Sequence, residues 1–287
     1  MSDNMKLFCF GLGYTAQYLI QRLEPYQPQI IGTTRDQAKI DQLAQQGIRA
    51  STLEDIDEAE LSSASHILIS IPPTEALGDL VYHHYKDIIA SSTQLDWLGY
   101  LSTTGVYGDH GGGWVDEDTP TNPSSARSQR RVDAEQQWLG LHKQHDVPTH
   151  IFRLSGIYGP SRNVFTTITS GKAKGINKPD QVFSRIHVED IAGVLVASME
   201  RPRPGDIYNL CDDEPSSTID VQAYATELMG CPPPPIIPFS KAQLSPMQRE
   251  FYADNRRVRN HKLKQVLAYN LLYPSYKEGL AAIHQQA

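Results

Sequence analysis

The most specific chemistry in the sequence sits in six residues near its start, Gly11-Leu12-Gly13-Tyr14-Thr15-Ala16. The G-x-G-x-x-A spacing suits the pyrophosphate of a dinucleotide. Gly11 permits a tight turn, Gly13 lets the backbone approach phosphate oxygens, and Ala16 keeps the next helix close to the preceding strand. The N-terminus of that helix offers its free N–H groups to the anion. Alone the pattern is weak, but here an apolar strand, Leu7–Phe10, precedes it and an amphipathic helix, Thr15–Leu23, follows it. Thr33-Thr34-Arg35 ends the next apolar run. A carboxylate at that place accepts hydrogen bonds from the ribose of NAD, whereas an arginine beside hydroxyls suits the 2′-phosphate of NADP. NADP is therefore the expected cofactor. NAD stays open because Asp36 is near enough to be the acid, though it is also a good helix cap. Ser70-Ile71-Pro72-Pro73 ends a fourth strand and borders the same cleft. The expected cofactor-binding set is Gly11, Leu12, Gly13, Tyr14, Thr15, Thr34, Arg35, Ser70, Pro72 and Pro73.

Strands and helices alternate around these residues. Strands are predicted at Gln29–Gly32, Ile48–Ala50, His66–Ile71, Trp97–Ser102 and His150–Leu154. Helices are predicted after Asp36, over Leu77–Ser91 and over Ala126–Gln144. Such alternation with short connections means an α/β domain with a mainly parallel sheet. Beyond Pro160 the rhythm loosens: a helix at Val188–Met199, a strand at Ile207–Leu210, a helix at Val221–Met229. Cys231-Pro232-Pro233-Pro234-Pro235 reads as a stiff connector to a polar, Tyr-rich segment, Lys241 to Ala287. The loop Gly108–Ser125, with Gly111-Gly112-Gly113-Trp114 and Asp116, Glu117 and Asp118, reads as a mobile acidic loop over the cleft.

Composition narrows the function. The chain has 287 residues, 39% of them hydrophobic, and a formal charge of −7. A mildly acidic chain lacks the basic balance of a nucleic-acid binder, so no nucleic-acid partner is expected. Arg256-Arg257-Val258-Arg259 is read as surface or interface. No apolar run approaches a membrane span, and no long apolar leader region exists, so no membrane partner is expected. The 3 cysteines show no CxxC spacing, which argues for a reducing, cytoplasmic location and against a zinc site. His83-His84 and His142/His145 lack a third ligand at workable spacing, and no metal is expected.

Four ordered segments resemble the extended short-chain dehydrogenases/reductases of the NAD(P)-dependent epimerase/dehydratase-like family. Ser102-Thr103-Thr104-Gly105-Val106-Tyr107-Gly108 is similar to their S-T-x-x-V-Y-G segment. Arg153-Leu154-Ser155-Gly156-Ile157-Tyr158-Gly159-Pro160 is similar to R-x-x-N-x-Y-G-P. Ile186-His187-Val188-Glu189-Asp190-Ile191-Ala192 resembles I-H-V-x-D-x-A, and Ile207-Tyr208-Asn209-Leu210 the strand that follows. The resemblance spans nearly the whole chain. It implies a Rossmann-type doubly wound parallel sheet with a small C-terminal substrate lobe. Residues 1–155 would form the nucleotide-binding domain, completed by about 186–215; 156–185 and 216–287 would form the lobe. It also implies a small-molecule substrate and a homodimer paired through the helices 77–91 and 126–144.

The departures point to an atypical subgroup. The family's Tyr-x-x-x-Lys exchanges a proton with the substrate oxygen while the nicotinamide exchanges a hydride. Counting back from Glu135, Arg127 stands at the Tyr place and Arg131 at the Lys place. A guanidinium is not a proton donor at neutral pH. By motif position Thr103 takes the family Ser/Thr role and Tyr107 is a further catalytic candidate. Arg127, Tyr158 and Arg185 are the substrate candidates, the arginines suiting an anionic group; His187 is weighed mainly as a structural hydrogen-bonder. Two functions stay open: an NADP-dependent oxidoreductase or epimerase-like protein acting on an anionic small molecule, and a non-catalytic NADP-binding sensor or regulatory protein.

Overall fold

The apolar runs of the sequence become strands buried on both faces. In a computed structural model, which describes residues 5–286, the elements follow in chain order. They are β1 (Lys6–Phe10), α1 (Tyr14–Leu23), β2 (Gln29–Thr33), α2 (Gln37–Gln45), β3 (Arg49–Ser51), α3 (Glu58–Ser62), β4 (His66–Ile69), α4 (Leu80–Ser91), β5 (Trp97–Thr103) and β6 (Trp114–Val115). Next come α5 (Ala126–His145), β7 (Thr149–Leu154), β8 (Gly156–Tyr158), α6 (Val164–Thr169), β9 (Gly175–Asn177), β10 (Arg185–His187), α7 (Val188–Glu200) and β11 (Ile207–Leu210). The last are α8 (Thr218–Met229), β12 (Ile236–Pro238), α9 (Pro246–Ala253), β13 (Arg257–Val258), α10 (His261–Val266) and α11 (Tyr276–Gln285).

Seven strands form one parallel sheet in the order β11-β7-β5-β4-β1-β2-β3. Alternation along β1 divides the core into two layers. Leu7 and Cys9 pack with α1 and α7 on one face; Phe8 and Phe10 pack with α4 and α5 on the other. The chain winds outward from β1 to β3, then returns to β4 beside β1. The order reverses there, and a doubly wound sheet opens its crevice at the carboxyl ends of such strands.

Three small parallel pairs stand outside this sheet: β8–β10, β9–β12 and β6–β13. Tyr158, Val221, Ala225, Tyr276, Leu280 and Ile283 form a separate apolar cluster under α8 and α11. The proline connector delivers β12 to β9. The family-like Asp190 holds the C-terminal segment, accepting from the Leu272 and Tyr273 N–H groups and the Tyr269 hydroxyl at 2.7, 3.1 and 3.0 Å.

Several elements differ from their sequence reading. The helix expected from Leu77 starts at Leu80, because Thr74 and Gly78 close a tight turn and Asp79 caps the helix through the Tyr82 N–H. The short α3 carries no periodic signal in the sequence because its five residues make little more than one turn. The Gly108–Ser125 loop is strapped rather than loose. β6 pairs with β13, the His110 and Gly112 N–H groups donate to the Asn255 carbonyl, and Glu117 accepts from the Asn209 N–H at 2.7 Å. The basic cluster at 256–259 forms the other half of that strap. Arg257 donates to the Gly112 carbonyl and Arg259 lies over the Trp114 ring.

Candidate functional site

A cavity of about 540 Å³ opens at the carboxyl ends of the strands, within the range of small-molecule sites. Its floor is the end of the glycine loop, Gly13 with Tyr14 and Thr15. Gly11 adopts φ +97°, and a Cβ there would lie 2.6 Å from the Ser70 hydroxyl and 2.7 Å from the Ile71 side chain. Only glycine fits that turn. Gly13 is the opposite case: a Cβ would meet nothing within 4 Å. It is also the N-cap of α1 and makes no side-chain cap, so the first-turn N–H groups keep no intrahelical partner. Open space in front of uncapped N–H groups fits a pyrophosphate. Gly13, Tyr14, Thr15 and Ser70 line the cavity; Gly11, Leu12, Thr34, Arg35, Pro72 and Pro73 lie outside its lining. Arg35 is exposed just before α2. Asp36 caps that helix, accepting from the Ala38 and Lys39 N–H groups at 3.0 and 3.4 Å.

The opposite wall is the end of β5 with the start of α5. Thr103 lines the cavity and its Oγ1 accepts from the Gly105 N–H at 3.1 Å. That bond uses a lone pair and leaves the hydroxyl proton to donate. Arg127 and Arg131, one turn apart on α5, both line the cavity. They differ in tether. Arg131 donates to the Leu101 carbonyl at 2.6 Å and to the Tyr100 hydroxyl at 3.1 Å, whereas Arg127 makes no ion pair among the described residues. Arg162 and Arg256 bring the lining to four guanidiniums against the two carboxylates Glu250 and Asp254. Arg256 is partly neutralised by Asp254 at 2.9 Å.

Behind this wall lies a buried polar chain. The Ser102 hydroxyl donates to Glu135 at 2.5 Å, and Glu135 receives the Arg153 guanidinium. Arg153 also donates to the Tyr107 hydroxyl at 2.9 Å, which donates to Asn209 at 2.8 Å. Tyr107 is therefore core, not cavity wall. Burial pushes its pKa up to about 12, and both sides of its hydroxyl are engaged. The phenol on the cavity wall is Tyr14, whose hydroxyl donates to the Pro160 carbonyl at 2.7 Å and whose pKa burial raises.

Tyr158 and Arg185 line a second cavity of about 530 Å³, which shares Ile157, Arg162 and Phe251 with the first. Arg162, Lys172, Lys174 and Arg185 line it without a carboxylate. Arg185 donates to the Phe183 and Ser216 carbonyls, each at 2.9 Å, and burial lowers its pKa. Burial likewise lowers the His187 pKa to about 4. Its Nδ1 caps α7 by accepting from the Glu189 N–H.

Sequence reasoning missed Arg162, Glu250, Phe251, Asp254 and Arg256, all delivered by lobe and strap segments far from the motifs. It also missed Lys39, whose ammonium reaches back to the Leu12 carbonyl at 2.5 Å. No described helix is long and apolar enough to cross a membrane.

Residues 87–211 match the model of the NAD dependent epimerase/dehydratase family. Protein YeeZ of Escherichia coli strain K12 is 26% identical over 245 residues, 80% of this chain and 85% of its own. A functionally unknown conserved protein from Silicibacter pomeroyi DSS, of solved structure, is 48% identical and superposes with a TM-score of 0.93 over 99% of both chains. The UDP-glucuronic acid 4-epimerase of Bacillus cereus, solved in complex with NAD, shares the fold at 18% identity, with a TM-score of 0.78 over 98% of this chain and 99% of its own. Ordered motifs, a seven-stranded doubly wound sheet and these matches agree: residues 87–211 carry the pattern of the NAD dependent epimerase/dehydratase family, within a Rossmann-like fold that the whole chain shares with its solved neighbours.

Proposed function

We propose that the protein is an NADP-dependent oxidoreductase or epimerase-like enzyme acting on a small anionic molecule. The observation that carries this reading is the cavity in which the glycine loop, the free Thr103 hydroxyl and the unpaired Arg127 guanidinium meet. Gly11, Leu12, Gly13, Tyr14, Thr15, Ser70, Pro72 and Pro73 hold the dinucleotide, and Thr34 with Arg35 faces its 2′-phosphate. A bound nicotinamide supplies or accepts the hydride. Thr103 donates a hydrogen bond to the substrate oxygen. Arg127 holds an anionic group, or the negative charge that develops on that oxygen, and the proton that a tyrosine would give or take is exchanged with water. Tyr158 and Arg185, with Lys172 and Lys174, receive a distal anionic part in the second cavity.

Two observations favour a second reading, a non-catalytic NADP-binding sensor. Arg131 is tied back to Tyr100 and Leu101, and Tyr14, the phenol on the cavity wall, has a raised pKa. Direct titration with NADPH, followed by NADPH oxidation against a panel of carboxylated and phosphorylated carbonyl compounds, separates the two. Turnover that falls roughly a hundredfold in Thr103→Val, with NADPH binding unchanged, supports the enzyme. NADPH binding without turnover across the panel supports the sensor.

A further inference from the structure

We infer that the substrate carries a flat aromatic ring beside its anionic group, the ring stacking on Phe251 and the anion pairing with Arg162 where the two cavities meet. The inference rests on the proposed substrate site and names what that site selects. Ile157, Arg162 and Phe251 are the residues that line both cavities. Phe251 is 54% exposed. A single exposed phenylalanine on a protein surface needs no explanation, but this one is built into an aromatic stack. Its ring lies parallel to that of Phe183, with centroids 4.2 Å apart and planes 8° from each other. Phe183 is buried and lines the first cavity. With one face against Phe183, the Phe251 ring has its other face and its edges to offer a ligand.

Tyr252 holds the stack in place. Its buried ring stands edge-on to Phe183 and Phe251, at 88° and 84°. Its carbonyl accepts the Lys178 ammonium at 2.5 Å, and its hydroxyl lies 3.2 Å from that of Thr218. α9 is thus tied to the lobe through the residue next to Phe251. A fixed ring face gives a flat aromatic ligand a stacking gain that a saturated ring of the same size does not obtain. Gly156 lines the first cavity as well, exposed and without a side chain, and bare backbone lets a flat group approach closely. Arg162 supplies the charge. Among the described residues its guanidinium makes no ion pair or hydrogen bond, so its planar fork is free for a carboxylate. Because Phe251 also lines the cavity of Thr103, the ring belongs next to the reacting carbonyl.

Phenylglyoxylate and cyclohexylglyoxylate share the carbonyl and the acid and differ in a flat against a puckered ring. Dissociation constants for both, and for UDP-glucuronic acid, are measured by NMR titration of the intact protein with and without saturating NADPH. Phenylglyoxylate should bind roughly three- to tenfold more tightly than its saturated counterpart. Phe251→Leu should remove that preference with the thermal melt unchanged, and Phe251→Trp should keep it. Arg162→Gln should weaken both acids alike, roughly tenfold or more. Equal binding of the two acids, a preference that survives in Phe251→Leu, or an Arg162→Gln variant that binds both normally overturns the inference. Binding of UDP-glucuronic acid with neither acid bound assigns the junction to a nucleotide and overturns it too, as does binding of none of the three. A flat-ring preference in a protein that binds no NADPH upholds this inference and sinks the coenzyme reading; NADPH binding without the preference does the reverse.

Discussion

The Arg153 guanidinium and the Glu135 carboxylate form a two-pronged buried pair, Nη2 to Oε2 at 2.7 Å and Nε to each oxygen at 3.2 Å. Only 5% and 4% of the two side chains remain accessible. The pair joins β7 to α5 directly behind Ser102 and so sets the position of the neighbouring Thr103. Removing one partner of such a pair leaves a charge buried alone. Arg153→Ala should lose about 3 kcal/mol or more of stability in urea unfolding. A loss below about 1 kcal/mol would mean that water replaces the guanidinium.

The two glycines of the nucleotide loop should separate folding from binding. Gly11→Ala forces a side chain into a left-handed turn against Ser70 and Ile71, and should cost at least about 1 kcal/mol. Gly13→Ala meets no protein atom within 4 Å, so its cost is that of a poorer N-cap, within about 1 kcal/mol. Its new methyl group occupies the open space in front of α1. Thermal melts should thus look nearly native while NADPH affinity falls at least roughly tenfold. Native-like NADPH binding by Gly13→Ala would remove the pyrophosphate from this position.

Arg127 should prove dispensable for the fold. It has no ion pair or hydrogen bond among the described residues, so Arg127→Gln should change unfolding free energy by no more than about 0.5 kcal/mol. Arg131→Gln, by contrast, releases the Tyr100 hydroxyl and the Leu101 carbonyl, and should cost about 1–3 kcal/mol. Chemical denaturation of the two variants side by side reads the difference. Equal losses would contradict the tethering of Arg131 alone.

Acid should act through buried neutral histidines. His150 accepts the Arg203 N–H on Nε2 at 2.9 Å, with Nδ1 facing the Leu98 carbonyl at 3.3 Å; burial lowers its pKa to about 4. The unfolded chain, with an ordinary imidazole pKa, binds the proton first as pH falls. The stability His150 confers is therefore complete above about pH 6.5 and is lost as pH drops toward 4. Other buried groups titrate too, so the informative quantity is the difference from His150→Gln. The stability advantage of the wild type over that variant should shrink by about 3 kcal/mol between pH 7.5 and pH 4. A constant difference would place a charged imidazole in the fold.

Asp190 anchors the C-terminal segment through two backbone N–H groups and one phenol. Asp190→Ala leaves these part-buried donors without their acceptor and should lower stability by about 1 kcal/mol or more. Hydrogen exchange should speed up most at Leu272 and Tyr273.

The doubly wound sheet was legible because its causes are local. Apolar runs such as Leu7–Phe10 and His66–Ile69 are short, continuous and punctuated by Gly11 or Pro72, and the helices between them keep a 3.6-residue period. The floor of the cleft was legible for the same reason, since Gly11 and Gly13 answer to backbone geometry within one turn. So was the placement of Arg127 and Arg131 on one face of α5, which four-residue spacing dictates. Only the tertiary structure decided how those residues are used. Whether an arginine is tethered, like Arg131, or unpaired, like Arg127, depends on partners about thirty residues away in sequence, on β5. The same holds for Tyr107, whose hydroxyl is committed to Arg153 and Asn209, and for the acidic loop, which β13 straps down from the far end of the chain. Arg162, Phe251 and Arg256 reach the cavity from segments with no motif to announce them. The sequence by itself determined the glycine loop and its sheet, because local steric and periodic rules write them. The chemistry of the opposite wall arises from long-range packing, in which burial and pairing decide which side chains stay free to meet a ligand.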